Sequence, residues 1–235
     1  MGDAAAAPLA IVATVLVYAA AQRLYTRVRH PLLNPLLVAI TALIVLLESS
    51  GVEYGKYDRG GRLISYWLGP AVVALGVPLH AQLHEIARRG RAMLASILVG
   101  SVVGIVSGTL TAIVLGAPRQ VVLSVAPRSV TTPVAMGVAQ KLGGIPPLTA
   151  VLVISTGVLG AVAGPTLMRL AGVRSRTAWG LAMGSAAHGI GTARAVEQGE
   201  VEGATSGLAI GLMGLATAIL APPIVALLLS VFAAR

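Results

Sequence analysis

The chain has no cysteine, one phenylalanine, an aromatic share of 3% and a charged share of 11%. Without cysteine there can be no disulfide, no thiolate metal site and no cysteine nucleophile. A soluble domain usually carries about 25% charged residues, so that class is excluded too. Acidic residues are scarcer than basic ones, with 8 Asp and Glu against 17 Lys and Arg. Glu48, Glu197, Glu200 and Glu202 all stand near the ends of apolar runs, where they suit a bare-cation carrier poorly. HExxH, GxxxxGK[ST] and paired-carboxylate spacings are missing, and GIGTAR at 189–194 is no phosphate loop. These absences predict no metal, no cofactor and no enzyme activity.

Apolar residues make up 56% of the 235-residue chain, with 28 glycines and a mean hydropathy of +0.88. About 20 apolar residues cross the hydrocarbon core. The expected spans are Pro8–Gln22, Pro31–Leu47, Leu63–Leu79, Ala92–Leu115, Pro146–Leu170, Ala178–Val196 and Thr205–Phe232. The chain is thus predicted to be an all-α polytopic protein in the lipid bilayer of a bacterial-type inner membrane, with one domain over 1–235. Acidic Asp3 precedes the first run, so that run reads as a retained helix rather than a signal peptide. The net charge of +9 lies in short loops, which points to membrane orientation and not to nucleic acid. HAQLHEIARRGR at 80–91 is expected on the cytoplasmic surface.

Loop charges orient the spans. Arg23, Arg27 and Arg29, then Arg88, Arg89 and Arg91, then Arg169, Arg174 and Arg176 mark three cytoplasmic loops. The mixed stretch 48–62 is assigned outside. Residues 121–142 must then begin and end outside, entering the membrane and turning back. NPLLVAITALIV at 34–45 echoes PPLTAVLVISTG at 146–157, and each precedes a broken segment, LGPA at 68–71 and MGSA at 183–186. The two echoes run in opposite directions, so inverted repeats with two discontinuous or re-entrant segments are expected. Candidate breaks are Asn34, Pro35, Gly69, Pro70, Pro127, Pro133, Gly184 and Gly191. Gly100 and Gly104 form a GxxxG pair suited to packing within the chain.

Two polar segments carry the candidate site. In SVAPRSVTTPVAM at 124–136, Pro127 and Pro133 disfavour continuous helix. Arg128 adds a cation that is expensive in lipid, and Ser129, Thr131 and Thr132 add hydroxyls. A guanidinium with hydroxyls and free backbone N–H groups suits an anion. In GSAAHGIGTARA at 184–195, Ser185, His188, Gly189 and Thr192 are expected to face that cation. His188 titrates near neutrality and is the candidate proton carrier; its alternative is a packing histidine bonded to a carbonyl. Arg194 and Glu197 have the spacing of a pair on one helix face.

HPLLNPLLVA at 30–39, WLGPAVVALGVPL at 67–79, APRSVTTPVAM at 126–136 and GSAAHGIGTARA at 184–195 resemble, in order, the LrgB/CidB family. That family includes the membrane domain of the plastid glycolate/glycerate translocator. Arg128 stands where many members have lysine. The resemblance implies one of two functions. One is transport of a small carboxylate such as pyruvate, glycolate or glycerate. The other is antiholin-like control of murein hydrolases with a small LrgA/CidA-type partner. The broken, polar segments favour transport, and a homodimer is expected.

Overall fold

The computed structural model describes residues 3–28, 33, 35–67, 70 and 83–232, with side chains described from residue 7 in the first stretch and from 90 in the last. The chain divides into two compact units, 1–71 and 72–235, taken here in turn. All elements among the described residues are helices.

The first unit contains α1 (Asp3–Val28), α2 (Pro35–Ser50) and α3 (Tyr54–Ser65). Pro35 opens α2, a first-turn position where its missing N–H has no intrahelical partner to lose. It is therefore not a break within a span. Asn34, Gly69 and most of Leu63–Leu79 lie outside the described residues, and so does LGPA apart from Pro70. The mixed-charge stretch 48–62, expected as a loop, instead ends α2 and forms most of α3. Its charges sit at helical spacing, and Arg62 Nε donates to Asp58 Oδ2 four residues back, at 2.9 Å. Gly60 brings α3 against α1, where a Cβ would lie 2.7 Å from that of Ala10. The Tyr57 and Thr14 hydroxyls bond at 2.8 Å.

The second unit contains α4 (Leu83–Val114), α5 (Arg119–Val125), α6 (Thr132–Leu142), α7 (Pro146–Leu170), α8 (Arg176–Gln198) and α9 (Glu200–Phe232). The basic stretch assigned to the surface belongs, from Leu83 onward, to α4 itself. Helices α4 and α9 run parallel. Gly100 faces Met213, and the next residue, Ser101, bonds Thr217 one turn further along α9, their buried hydroxyls 3.1 Å apart. Pro222 and Pro223 sit within α9 without ending it. Among the described residues, four helices are long and apolar enough to cross a membrane: α1, α4, α7 and α9. Their exposed leucines and valines, such as Val103 at 58% and Leu159 at 68%, suit lipid rather than water.

Helices α5 and α6 form the arms of a first hairpin. At 7 and 11 residues they are about 10 and 16 Å long, too short to cross. The chain turns over 126–131 and returns. The Ile145 N–H then donates to Ser124 Oγ at 2.7 Å, back beside α5. Pro127 lies in the turn, but Pro133 is in the first turn of α6 and starts that arm. Gly143, at φ 85°, closes it with a left-handed cap.

Residues 176–198 make a second hairpin, which corrects the reading of Ala178–Val196 as a broken span. A straight helix of 23 residues would hold its ends about 33 Å apart. Instead, a Cβ on Gly199 would lie 2.6 Å from the Arg176 guanidinium. A Cβ on Gly191 would lie 2.5 Å from the Met183 carbonyl oxygen, eight residues earlier. The reversal is at His188, with φ 41° and ψ −130°, the only non-glycine at positive φ among the described residues. Gly184 and Gly191 are therefore close-packing positions, not breaks. A Cβ on Gly184 would overlap the Ser206 carbonyl of α9 and lie 2.8 Å from Ala209 Cβ. The outgoing arm runs parallel to α9, and the returning arm runs antiparallel to it, with Thr192 on Ser206 and Val196 on Gly203. At the base, Arg176 Nε and Nη2 donate to the two Glu202 carboxylate oxygens at 2.8 and 2.9 Å.

The first hairpin joins α7 at Pro146, the second at Leu170. They therefore enter from opposite ends of the unit.

Candidate functional site

The tip of the first hairpin rests on a run of glycines in α4. Gly104 and Gly108 fall one turn apart on one face, which lets the turn approach the helix closely. A Cβ on Gly104 would lie 3.1 Å from Ser129 Oγ, and one on Gly108 would overlap the Arg128 guanidinium. Arg128 Nη1 donates to the Gly104 carbonyl at 3.0 Å, and Nη2 to Ser107 Oγ at 3.3 Å. Gly104 and Gly108 are about 15 and 9 Å along α4 from Val114, so this cation lies within the span, nearer its C-terminal end. Among the described residues no carboxylate pairs with it.

Arg128 and Ser129 line a cavity of about 540 Å³. Its other walls are Ser96, Gly100, Val103 and Gly104 of α4, Thr156 of α7, and Ala178, Leu181, Ala182, Ser185 and Ala186 of the second hairpin. The hairpin residues recur every three to four positions, as one helical face must. The Ser96 and Thr156 hydroxyls are occupied by carbonyls four residues back in their own helices, at 2.8 Å each. The Ser129 and Ser185 hydroxyls have no partner among the described residues. A guanidinium with spare N–H groups and two free hydroxyls can together satisfy a small anion.

The structure thus brings Arg128, Ser129 and Ser185 to one cavity. Thr132 begins α6, and Thr131 Oγ1 is buried without a partner among the described residues. His188, 5% exposed, turns toward α7 and donates from Nε2 to the Val153 carbonyl at 2.9 Å. A carbonyl only accepts, so Nε2 carries a proton. The ring fills a slot opposite Gly157, where a Cβ would lie 2.7 Å away. Gly189 follows the reversal with open space beside it. The Thr192 hydroxyl bonds Ser206 Oγ at 2.7 Å. None of these five lines the cavity. Arg194 and Glu197 do pair, at 2.6 Å. Sequence reasoning missed Gly104 and Gly108 as the seat of the first tip; their spacing of four was the available signal.

Long apolar helices, with two opposed hairpins that meet α4 and α7 at a cavity, define an all-α, multi-pass membrane protein. The family model of the LrgB-like family matches residues 14–227, and the chain belongs to that family. It is 37% identical over 225 residues to the uncharacterized protein YxaC of Bacillus subtilis, covering 96% of this chain and 98% of that one. It is 33% identical over 227 residues to the Holin-like protein CidB of Staphylococcus epidermidis, covering 97% and 99%. Its identity to the Staphylococcus aureus protein of the same description is 34%, with the same coverage. No solved structure matches.

Proposed function

We propose that the chain is a secondary transporter of small monocarboxylates such as pyruvate, glycolate or glycerate, coupled to protons or another ion, and has no enzyme activity. One observation carries this reading. Arg128 is a cation deep in the unit, without a carboxylate partner among the described residues, on a cavity with two free hydroxyls. An uncompensated charge at that depth is functional by default, and a carboxylate is its natural complement. Ser129 and Ser185 would bind the cargo directly, while Thr131, Thr132, Gly189 and Thr192 would shape the two tips. His188 would carry the coupling proton at Nδ1, since Nε2 is engaged.

The order "long helix, hairpin" occurs twice, as α4 with the first hairpin and α7 with the second, in opposite orientations. This supports an inverted repeat, a common transporter plan. Arg91, Arg169, Arg174 and Arg176 share one end of the unit, which we read as cytoplasmic. A homodimer would supply a scaffold.

The test is uptake of labelled pyruvate and glycolate into proteoliposomes under a pH gradient, with Arg128→Ala alongside. Losing a charged hydrogen-bonding partner, worth about 1.5–3 kcal/mol, should weaken cargo affinity about 10- to 100-fold. Wild type moving neither acid under any gradient would end the transport reading. Normal transport by Arg128→Ala would end the site assignment. A second reading is antiholin-like regulation with an LrgA/CidA-type partner, for which the holin-like naming of the CidB relatives is the support. Co-purification with such a partner, without stabilisation by either acid, would favour it.

A further inference from the structure

A second, larger cavity of about 760 Å³ lies where α8 and α9 begin, with Ser175, Glu200 and Val201 on its walls. It shares three lining residues with the Arg128 cavity: Ser96 of α4, and Ala178 and Leu181 of the second hairpin. Two chambers with common wall residues adjoin at those residues. The outer chamber is at the end of the unit that carries Arg91, Arg174 and Arg176, and the inner one ends at Arg128.

We infer that Ser96, Ala178 and Leu181 form the neck of a single access path, and that Leu181 sets the size of what passes. Leu181 is the one bulky side chain of the three; serine and alanine leave the remaining gap open. It is held on its inner side, because it packs against the buried cluster containing Met93, Ile97 and Leu208. A side chain anchored in a core keeps its rotamer and so defines an aperture. Ala178 and Leu181 lie three apart on the face that continues to Ser185, so the outgoing arm of the second hairpin forms both the neck and the far wall of the inner chamber. On the other side, α4 presents Ser96 one turn before Gly100, and the path follows that face to Gly104. The neck thus determines specificity by size, whereas Arg128 does so by charge.

The role of the neck in cargo selection rests on the transport reading, but its existence can be tested without cargo. The chain has no native cysteine, so single cysteines report alone. Ser185→Cys places a thiol in the inner chamber and Val201→Cys one in the outer. Each is reacted with the small anion methanethiosulfonate ethylsulfonate and with a fluorescein-bearing maleimide. Reagent is added from the basic end in inverted vesicles and from the other end in intact cells. From the basic end, Ala178→Phe should slow labelling at 185 by at least about tenfold and leave 201 within about twofold, since thiol reactivity follows access. Leu181→Ala should admit the bulky maleimide to 185. Ser96→Phe, on a different helix, repeats the block should Ala178→Phe not fold. Labelling at 185 that ignores both phenylalanines, or that occurs only from the opposite end, overturns the neck. Failed uptake with neck-dependent labelling would refute transport alone; normal uptake with neck-independent labelling would refute the neck alone.

Discussion

At His188 the usual ranking of alanine and glycine should reverse. Inside an uninterrupted helix, alanine is more stable than glycine by about 0.8–1 kcal/mol. That is the order a continuous 176–198 helix would give. At φ 41° and ψ −130°, a residue with a Cβ carries a strain of about 1–3 kcal/mol, which glycine avoids. Glycine loses more backbone entropy on folding, about 0.5–1 kcal/mol, which offsets part of that gain. His188→Gly should therefore be more stable than His188→Ala by about 1 kcal/mol, and by up to about 2.5 kcal/mol.

The comparison is clean because both variants lose the same things. Each removes the imidazole, its bond to the Val153 carbonyl and its packing against Gly157. The Val153 oxygen keeps its helical donor four residues on, so neither variant strands a buried acceptor. Both should be less stable than wild type, and only the backbone term distinguishes them. Equilibrium unfolding of the purified protein in one detergent, with denaturant midpoints compared at equal slope, measures the difference. If alanine exceeds glycine by the helical difference of about 0.8–1 kcal/mol, residue 188 is helical and the second hairpin does not exist.

The same fold can be probed in other ways. Spin labels on Ser175→Cys and Gln198→Cys should report under about 20 Å, whereas a straight helix would separate them by about 34 Å; a mean above 30 Å contradicts the hairpin. Gly184→Ala places a Cβ against the Ser206 carbonyl, which is backbone and cannot swing aside, and should destabilise by about 1–3 kcal/mol. Gly189→Ala meets nothing within 4 Å and should be neutral or slightly stabilising in the same melts.

The first hairpin was legible because its chemistry breaks helices openly. Pro127 and Arg128 cannot sit quietly in a lipid-facing helix, and loop charges forced both ends of 121–142 to one side. The second hairpin was not legible as a hairpin. Two arms of about ten residues have the same length as one span of about 20, so length argued for a crossing. Its reversal uses no proline and no glycine at the corner itself, but a histidine held in a glycine-like conformation by a carbonyl on another helix. No local propensity encodes that; the constraint is tertiary. Gly184 and Gly191 looked like breaks because close packing and unwinding select the same residue. The long-range clue was Arg176 with Glu202, which bond across 26 residues and tie the hairpin base to α9. Exposed α3 misled for the opposite reason, since salt-bridge spacing within it was read as loop charge.

Of the predicted polar residues, Arg128 and Ser129 come from the first tip, and Ser185 comes from the outgoing arm of the second. No single segment could have placed them together. A span that crosses presents one face at mid-depth and moves on. Two hairpins that stop within the unit leave turns whose backbone must be bonded by protein or water. In the first tip the Arg128 and Val130 N–H groups donate to the Val125 and Pro127 carbonyls, and the Arg128 side chain ties the turn to α4; the His188 ring ties the second to Val153. Where the hairpins face each other without filling the gap, a cavity remains whose walls are mostly apolar, with a few polar groups from Arg128, Ser129 and Ser185. The proposed anionic cargo rests on its one cation, Arg128.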